Sequence, residues 1–118
     1  MNTLQLFLVL FIILDVCHST PVDAIFLLDS SGSMNLSGFQ MELDFVVNFT
    51  NYLAIGPNDF QIGVVTFSSV AYVEFHLNEF TDKTALRSAI QSIQYKEGST
   101  YTNLALEKVI YMVTCYLG

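Results

Sequence analysis

The sequence predicts an α/β domain built on an incomplete doubly wound sheet, its strands parallel except for one antiparallel edge strand, with helices on both faces. Three observations predict it. Ala24–Leu28 (AIFLL) is a continuous apolar run, the pattern of a strand covered on both faces. A helical pattern over residues 39–54 separates it from a second apolar run, Gln61–Phe67, and that order makes a β-α-β crossover. A third segment, Ala71–Leu77, alternates apolar and polar residues, as a half-exposed edge strand does.

Each element has its own local reason. In 39–54, Phe39, Leu43, Val46, Thr50 and Leu53 keep helical spacing, and Phe45, Phe49 and Tyr52 add a second stripe, which predicts a largely buried helix. Gly56-Pro57-Asn58-Asp59 ends it in a turn. Gly63 inside the second strand allows a helix to pack closely. Ser68-Ser69 is too short for a crossover, so Ala71–Leu77 runs antiparallel to its predecessor. Its expected faces are Ala71, Val73, Phe75 and Leu77 against Tyr72, Glu74 and His76, with His76 a solvated edge residue. Thr81 or Asp82 caps the next helix, whose apolar face is Ala85, Leu86, Ala89, Ile90 and Ile93. After the loop Gly98–Thr102, with Thr102 as a cap, a last helix carries Leu106, Val109, Ile110 and Val113 at helical spacing.

The N-terminus has a separate character. Residues 4–14 are almost wholly apolar, too short for a membrane helix, which needs roughly 20 such residues. They fit the core of a secretory signal peptide, with Cys17 and Ser19 as the small residues before a cut after Ser19. The expected division is therefore a signal peptide over 1–19 and one domain over 20–118, with no membrane insertion after cleavage. The net charge is −7, and removing 1–19 takes away Asp15 and no base, leaving ten acids against four bases. Such a surface excludes nucleic acid and anionic membranes as partners. Cleavage also removes Cys17 and leaves Cys115 alone, as a free thiol, an intermolecular bridge or half of a pair completed elsewhere. Asn35-Leu36-Ser37 and Asn48-Phe49-Thr50 are N-glycosylation acceptor triplets, so Asn35 and Asn48 are glycan candidates.

The chemistry of the chain sits where the first strand ends. Asp29-Ser30-Ser31-Gly32-Ser33 places a carboxylate and two hydroxyls two residues apart. Alternate residues of an extended chain point the same way, and Gly32 permits the turn that returns Ser33 beside Ser31. Hard divalent cations prefer such oxygen ligands, and open α/β sheets bind ligands at the carboxyl ends of their strands.

Together with Gly98-Ser99-Thr100-Tyr101-Thr102, this motif resembles the metal-ion-dependent adhesion site of von Willebrand factor type A domains. Ala24–Ser33 (AIFLLDSSGS), Ile62–Ser68 (IGVVTFS) and Gly98–Leu106 (GSTYTNLAL) are similar to that family in order and spacing, and the resemblance covers residues 22 to about 113. The extracellular matrix type, as in matrilins and collagens carrying such domains, is the nearest in character. The resemblance implies a Rossmann-like sheet and a metal site in which Asp29 binds mainly through water, while Ser31, Ser33 and Thr100 are direct ligands. It implies Mg2+ or Mn2+, with Ca2+ as a further option. It also implies a secreted, non-enzymatic module that binds a matrix or cell-surface protein, an acidic side chain of the partner completing the metal shell. Tyr101 is a candidate for the partner-binding rim or for packing.

The resemblance has a limit. The family continues past the last helix into a central strand ending in Thr-Asp-Gly, whose aspartate is a further metal-site residue, whereas this sequence reads Tyr116-Leu117-Gly118 there. The expectation is a truncated domain in which Ala24–Leu28 has one unpaired edge, a recognised aggregation liability. The alternative function is accordingly a truncated fragment or incomplete gene model without independent binding. An enzyme is disfavoured: no Gly-x-Ser-x-Gly or phosphate-loop pattern is present, and the only histidine after residue 19 is His76.

Overall fold

The strand at the centre of the fold, β2 (Val22–Asp29), is flanked on both edges. β1 (Val9–Asp15) pairs with it antiparallel, and β3 (Phe60–Phe67) pairs with it parallel, while β4 (Ala71–Phe75) closes the sheet antiparallel to β3. The order is thus β1-β2-β3-β4. A 3-10 turn (Gly32–Met34) leads from β2 into α1 (Asn35–Thr50), α2 (Lys83–Gln91) follows β4, and α3 (Thr102–Leu117) is the last described element. The computed structural model describes the backbone of residues 9–15 and 22–117, with side-chain surroundings from residue 23 to 112. The signal-peptide cleavage site after Ser19, Cys17 and the side chains of Val113 and Cys115 lie outside the described residues.

The alternation of β2 explains the layers. Ala24, Phe26 and Leu28 point to one face and join Phe39, Leu43, Val46 and Val47 of α1 with Leu86 and Ile90 of α2. Ile25 and Leu27 point to the other and join Ala105, Val109 and Met112 of α3. The doubly wound expectation therefore holds, with helices on both faces. Gly63 makes one of these contacts possible: a Cβ there would lie 3.1 Å from the Met112 Cε atom of α3. Asp82 caps α2, its carboxylate accepting from the Ala85 N–H at 2.9 Å.

Several expectations are corrected. With residues 1–19 present, the β2 edge is paired, Val9–Asp15 aligning with Leu28–Val22 over the whole length of β1, whereas the unpaired edge is the expectation for the chain after cleavage. A buried strand must place its backbone N–H and C=O groups somewhere, and the apolar Val9–Asp15 run supplies the partners. The alternation of β4 breaks at a register shift between Val64 and Val65, because Val65 faces Val73 while Val64 faces Phe75. One extra residue in β4 reverses the face of Phe75, which packs with the α1 layer while Ala71, before the shift, packs with the α3 layer; Leu77, beyond the end of β4, also joins the α3 layer. The second stripe is not buried throughout: Tyr52, beyond the end of α1, is 88% exposed, and Phe45 stacks on Phe49 at the surface. The α1 helix also starts and ends about four residues earlier than expected. On α3 the buried face is Ala105, Val109 and Met112, whereas Leu106 and Ile110 are exposed. His76 is exposed, as expected.

Candidate metal centre

β2 delivers Asp29 to the carboxyl edge of the sheet, where its backbone leaves the ladder. The Ser30 N–H still donates to the Phe67 carbonyl at 2.8 Å, extending the parallel pairing with β3 by one residue. The chain then turns on Asp29 itself. Its Oδ1 accepts the Ser31 N–H at 2.8 Å, a local bond that aspartate makes readily at a turn. Gly32, Ser33 and Met34 form the 3-10 turn, closed by a Met34 N–H bond to the Ser31 carbonyl at 3.1 Å. The turn brings the two hydroxyls together, with Ser31 Oγ and Ser33 Oγ 3.1 Å apart.

That separation fits a small divalent cation. Adjacent octahedral ligands at 2.0–2.1 Å from Mg2+ stand about 2.9 Å apart. The donor set, one carboxylate and neutral hydroxyls, is also of the hard oxygen type that Mg2+, Mn2+ and Ca2+ accept. Among the described residues no cluster of three or more His, Cys, Asp or Glu side chains exists, so any cation held here relies on the hydroxyls.

The second loop is tied to the first. The Gly32 N–H donates to the Gly98 carbonyl at 2.8 Å. Gly98 has φ +101, and a Cβ on it would stand 2.6 Å from Ser69 Oγ; glycine is required on both grounds. Thr100 sits between two anchors on the β3–β4 turn, the Ser99 N–H bond to Ser69 Oγ at 2.9 Å and the Tyr101 N–H bond to the Ser68 carbonyl at 3.1 Å. Asp29, Ser31 and Ser33 thus form one constellation, and Thr100 lies exposed on the loop held against it. Thr102 is the first residue of α3, and Tyr101 has an exposed side chain.

Three residues that sequence reasoning passed over support the site. Tyr95 donates its hydroxyl to the Ser31 carbonyl at 2.8 Å, and its ring packs on Phe39 with centroids 5.4 Å apart. Desolvation first, then the Glu97 charge, push the phenol pKa up. The Lys96 N–H donates to Ser30 Oγ at 2.7 Å, while its ammonium pairs with Glu74 Oε2 at 2.6 Å. Glu42 is wholly buried beneath the motif. Its Oε1 accepts the Asp29 N–H at 2.8 Å, and its Oε2 has no partner among the described residues. Burial, and secondarily the Asp29 charge, push its pKa up to about 8, against the opposing effect of the Asp29 N–H bond. The signal for Glu42 was present in the sequence, as an acid within a buried helical stripe. Nothing in the spacing of Tyr95 or Lys96 marked them.

The glycan candidates differ in setting. Asn35 has φ 55, is exposed, and uses its Oδ1 to accept the Gly38 N–H at 2.9 Å at the start of α1. Asn48 is exposed on α1, but Thr50 of its triplet is buried and donates to the Val47 carbonyl at 2.8 Å.

Comparison with known proteins matches residues 23–114 to the von Willebrand factor type A domain. The chain belongs to this family. It is similar to the collagen alpha-1(XX) chain of Mus musculus, 38% identical over 91 residues, which cover 77% of this chain and 7% of that protein. It is similar to matrilin-3 of Mus musculus, 36% identical over 92 residues, covering 78% and 19%. Among solved structures it resembles proximal thread matrix protein 1 from the mussel byssus, with a TM-score of 0.68 and 26% identity over 73% of this chain and 24% of that one. One structure of that protein has a zinc-occupied MIDAS motif, that is, a filled metal-ion-dependent adhesion site. The chain therefore spans a small part of the relatives it matches. Among the described residues no helix is long and apolar enough to cross a membrane.

Proposed function

We propose that this domain is a secreted, non-enzymatic interaction module of the extracellular matrix, and that it binds an acidic side chain of a protein partner through a divalent cation. The observation that carries the reading is the 3.1 Å pairing of the Ser31 and Ser33 hydroxyls beside Asp29, at the edge of the sheet where the family binds metal. Asp29, Ser31, Ser33 and Thr100 are the proposed ligands, Asp29 acting mainly through water. Mg2+ or Mn2+ is the proposed ion, with Ca2+ as a further option. The zinc-occupied motif of the mussel protein and the matrix character of the matrilin and collagen relatives support the same reading.

The bound ion supplies an electrophilic point for a partner's carboxylate. The chain's own groups hold the hydroxyls in place and limit the negative charge at the site to one carboxylate. Residues 1–19 are the proposed secretory leader, whose cleavage would remove β1 and leave the β2 edge open, and Asn35 is the better placed of the two glycan candidates.

The test is thermal unfolding of the chain in chelator and in excess Mg2+, with Asp29→Ala alongside. A ligand that binds only the folded form at about 100 Kd stabilises it by roughly 2.7 kcal/mol. The parent should show a rise of that order, and Asp29→Ala none, because Asp29 is the one charged residue of the proposed set. An Asp29→Ala chain stabilised by Mg2+ as much as the parent would sink the metal assignment.

A further inference from the structure

We infer that Tyr95 is a positioning residue for the cation site, its phenol hydroxyl fixing the peptide unit on which Ser31 and Ser33 turn. The inference rests on the cation-binding reading above and deepens it. The peptide between Ser31 and Gly32 lies between the two hydroxyl-bearing residues, so its orientation sets how their oxygens converge. It is held at both ends by one loop. Its carbonyl oxygen accepts the Tyr95 hydroxyl at 2.8 Å, and its N–H donates to the Gly98 carbonyl at 2.8 Å. The same carbonyl closes the 3-10 turn through the Met34 N–H at 3.1 Å. Ser30, one residue earlier, is bonded to the Lys96 N–H. Three consecutive residues of the motif are thus fastened to residues 95–98.

Of these fastenings to residues 95–98, the Tyr95 bond alone comes from a side chain on that loop, so it can be removed by deleting one oxygen without altering the backbone of either loop. The ring is seated against Phe39, which aims the hydroxyl from the body of α1. Without the hydroxyl, the Ser31 carbonyl keeps its bond to Met34 and the turn persists, but the peptide unit gains freedom to rock. Two hydroxyl ligands that must stand about 2.9 Å apart for an octahedral ion lose pre-organisation, and affinity falls with it.

The experiment compares the parent chain with Tyr95→Phe, Phe39→Leu and Asp29→Ala, each as the full sequence. Mn2+ is the probe, its free concentration read by electron paramagnetic resonance, and stability is read in chelator by circular dichroism. Tyr95→Phe should raise the Mn2+ Kd roughly three- to tenfold, the range expected for loss of one neutral hydrogen bond, while its transition in chelator stays cooperative. Phe39→Leu should lower stability in chelator yet shift the Kd less than Tyr95→Phe does. Unchanged Mn2+ affinity in Tyr95→Phe, with Asp29→Ala unable to bind, overturns the positioning role and leaves the site reading intact. A Tyr95→Phe chain without a cooperative transition in chelator also overturns it, because the hydroxyl would then hold the fold rather than the site. No Mn2+ binding by the parent overturns both.

Discussion

Glu42→Gln is expected to make the fold less sensitive to pH. Glu42 is fully buried, one oxygen bonded to the Asp29 N–H and the other without a partner among the described residues. Its pKa rises from 4.5 to about 8, chiefly by desolvation. The folded chain therefore holds this proton more tightly than the unfolded chain, and unfolding near neutrality releases it. The stabilising contribution is complete below 4.5 and is lost as pH rises from there toward 8. Between about pH 5.5 and pH 7 the loss comes to about 2 kcal/mol by linkage. Glutamine keeps an oxygen for the Asp29 N–H and has no proton to lose. Urea unfolding in chelator, followed by circular dichroism, measures the effect in both chains at the two pH values. With a slope near 1 kcal/mol per molar urea, the parent midpoint should fall by about 2 M more than that of the variant. Contributions of other groups, common to both chains, cancel in the difference. Parallel pH profiles for parent and variant would refute the reasoning, because they would mean that Glu42 is ionised and solvated in the fold.

Two further perturbations probe the frame around the site. Gly98→Ala should cost about 1–3 kcal/mol in urea unfolding, since the residue has φ +101 and its Cβ would press on Ser69 Oγ; an unchanged midpoint would show that the two loops are not locked together. Deleting residues 1–19 removes β1 and opens the β2 edge, so light scattering should detect association that grows with concentration; a monomer at every concentration would mean that β1 does not shield this edge.

The sequence made the layers legible because both central strands carry uninterrupted apolar runs. Runs such as Ala24–Leu28 and Ile62–Phe67 have one physical explanation, burial on two faces, and the helical patterns supply the cover. The motif at Asp29 was legible for a similar reason: carboxylate, hydroxyl, glycine and hydroxyl at fixed spacing restrict what the backbone can do. Patterns fail where a single residue changes register. Nothing in Ala71–Leu77 announces the extra residue that turns Phe75 toward α1, because a bulge is decided by what both faces need to bury. Helix flanks fail likewise. Leu106 and Ile110 keep helical spacing with Val109, yet a helix on a sheet buries one stripe, and here Ala105, Val109 and Met112 take it. The pairing of Val9–Asp15 with β2 was illegible because an apolar run of that length also fits a leader, and periodicity does not separate the two. Tyr95 was illegible because its role depends on a bond to a backbone carbonyl 64 residues away in the chain.

The charge inventory bears on how the proposed site would select a partner. Asp29 is the one carboxylate among the four proposed ligands, so a divalent ion there keeps a surplus of positive charge. Glu42 lies behind it but, with its pKa near 8, contributes little negative charge at neutral pH. The chain as a whole is strongly acidic, with a net charge of −7. At physiological ionic strength fields from exposed charges fade within about 8 Å, so an acidic partner meets repulsion from the body and attraction only at contact with the ion. Affinity for such a partner would then depend strictly on the cation rather than on long-range steering, and added salt, by screening the repulsion, would speed association instead of slowing it. A basic partner bound elsewhere on the surface would show the opposite salt dependence and no need for the ion.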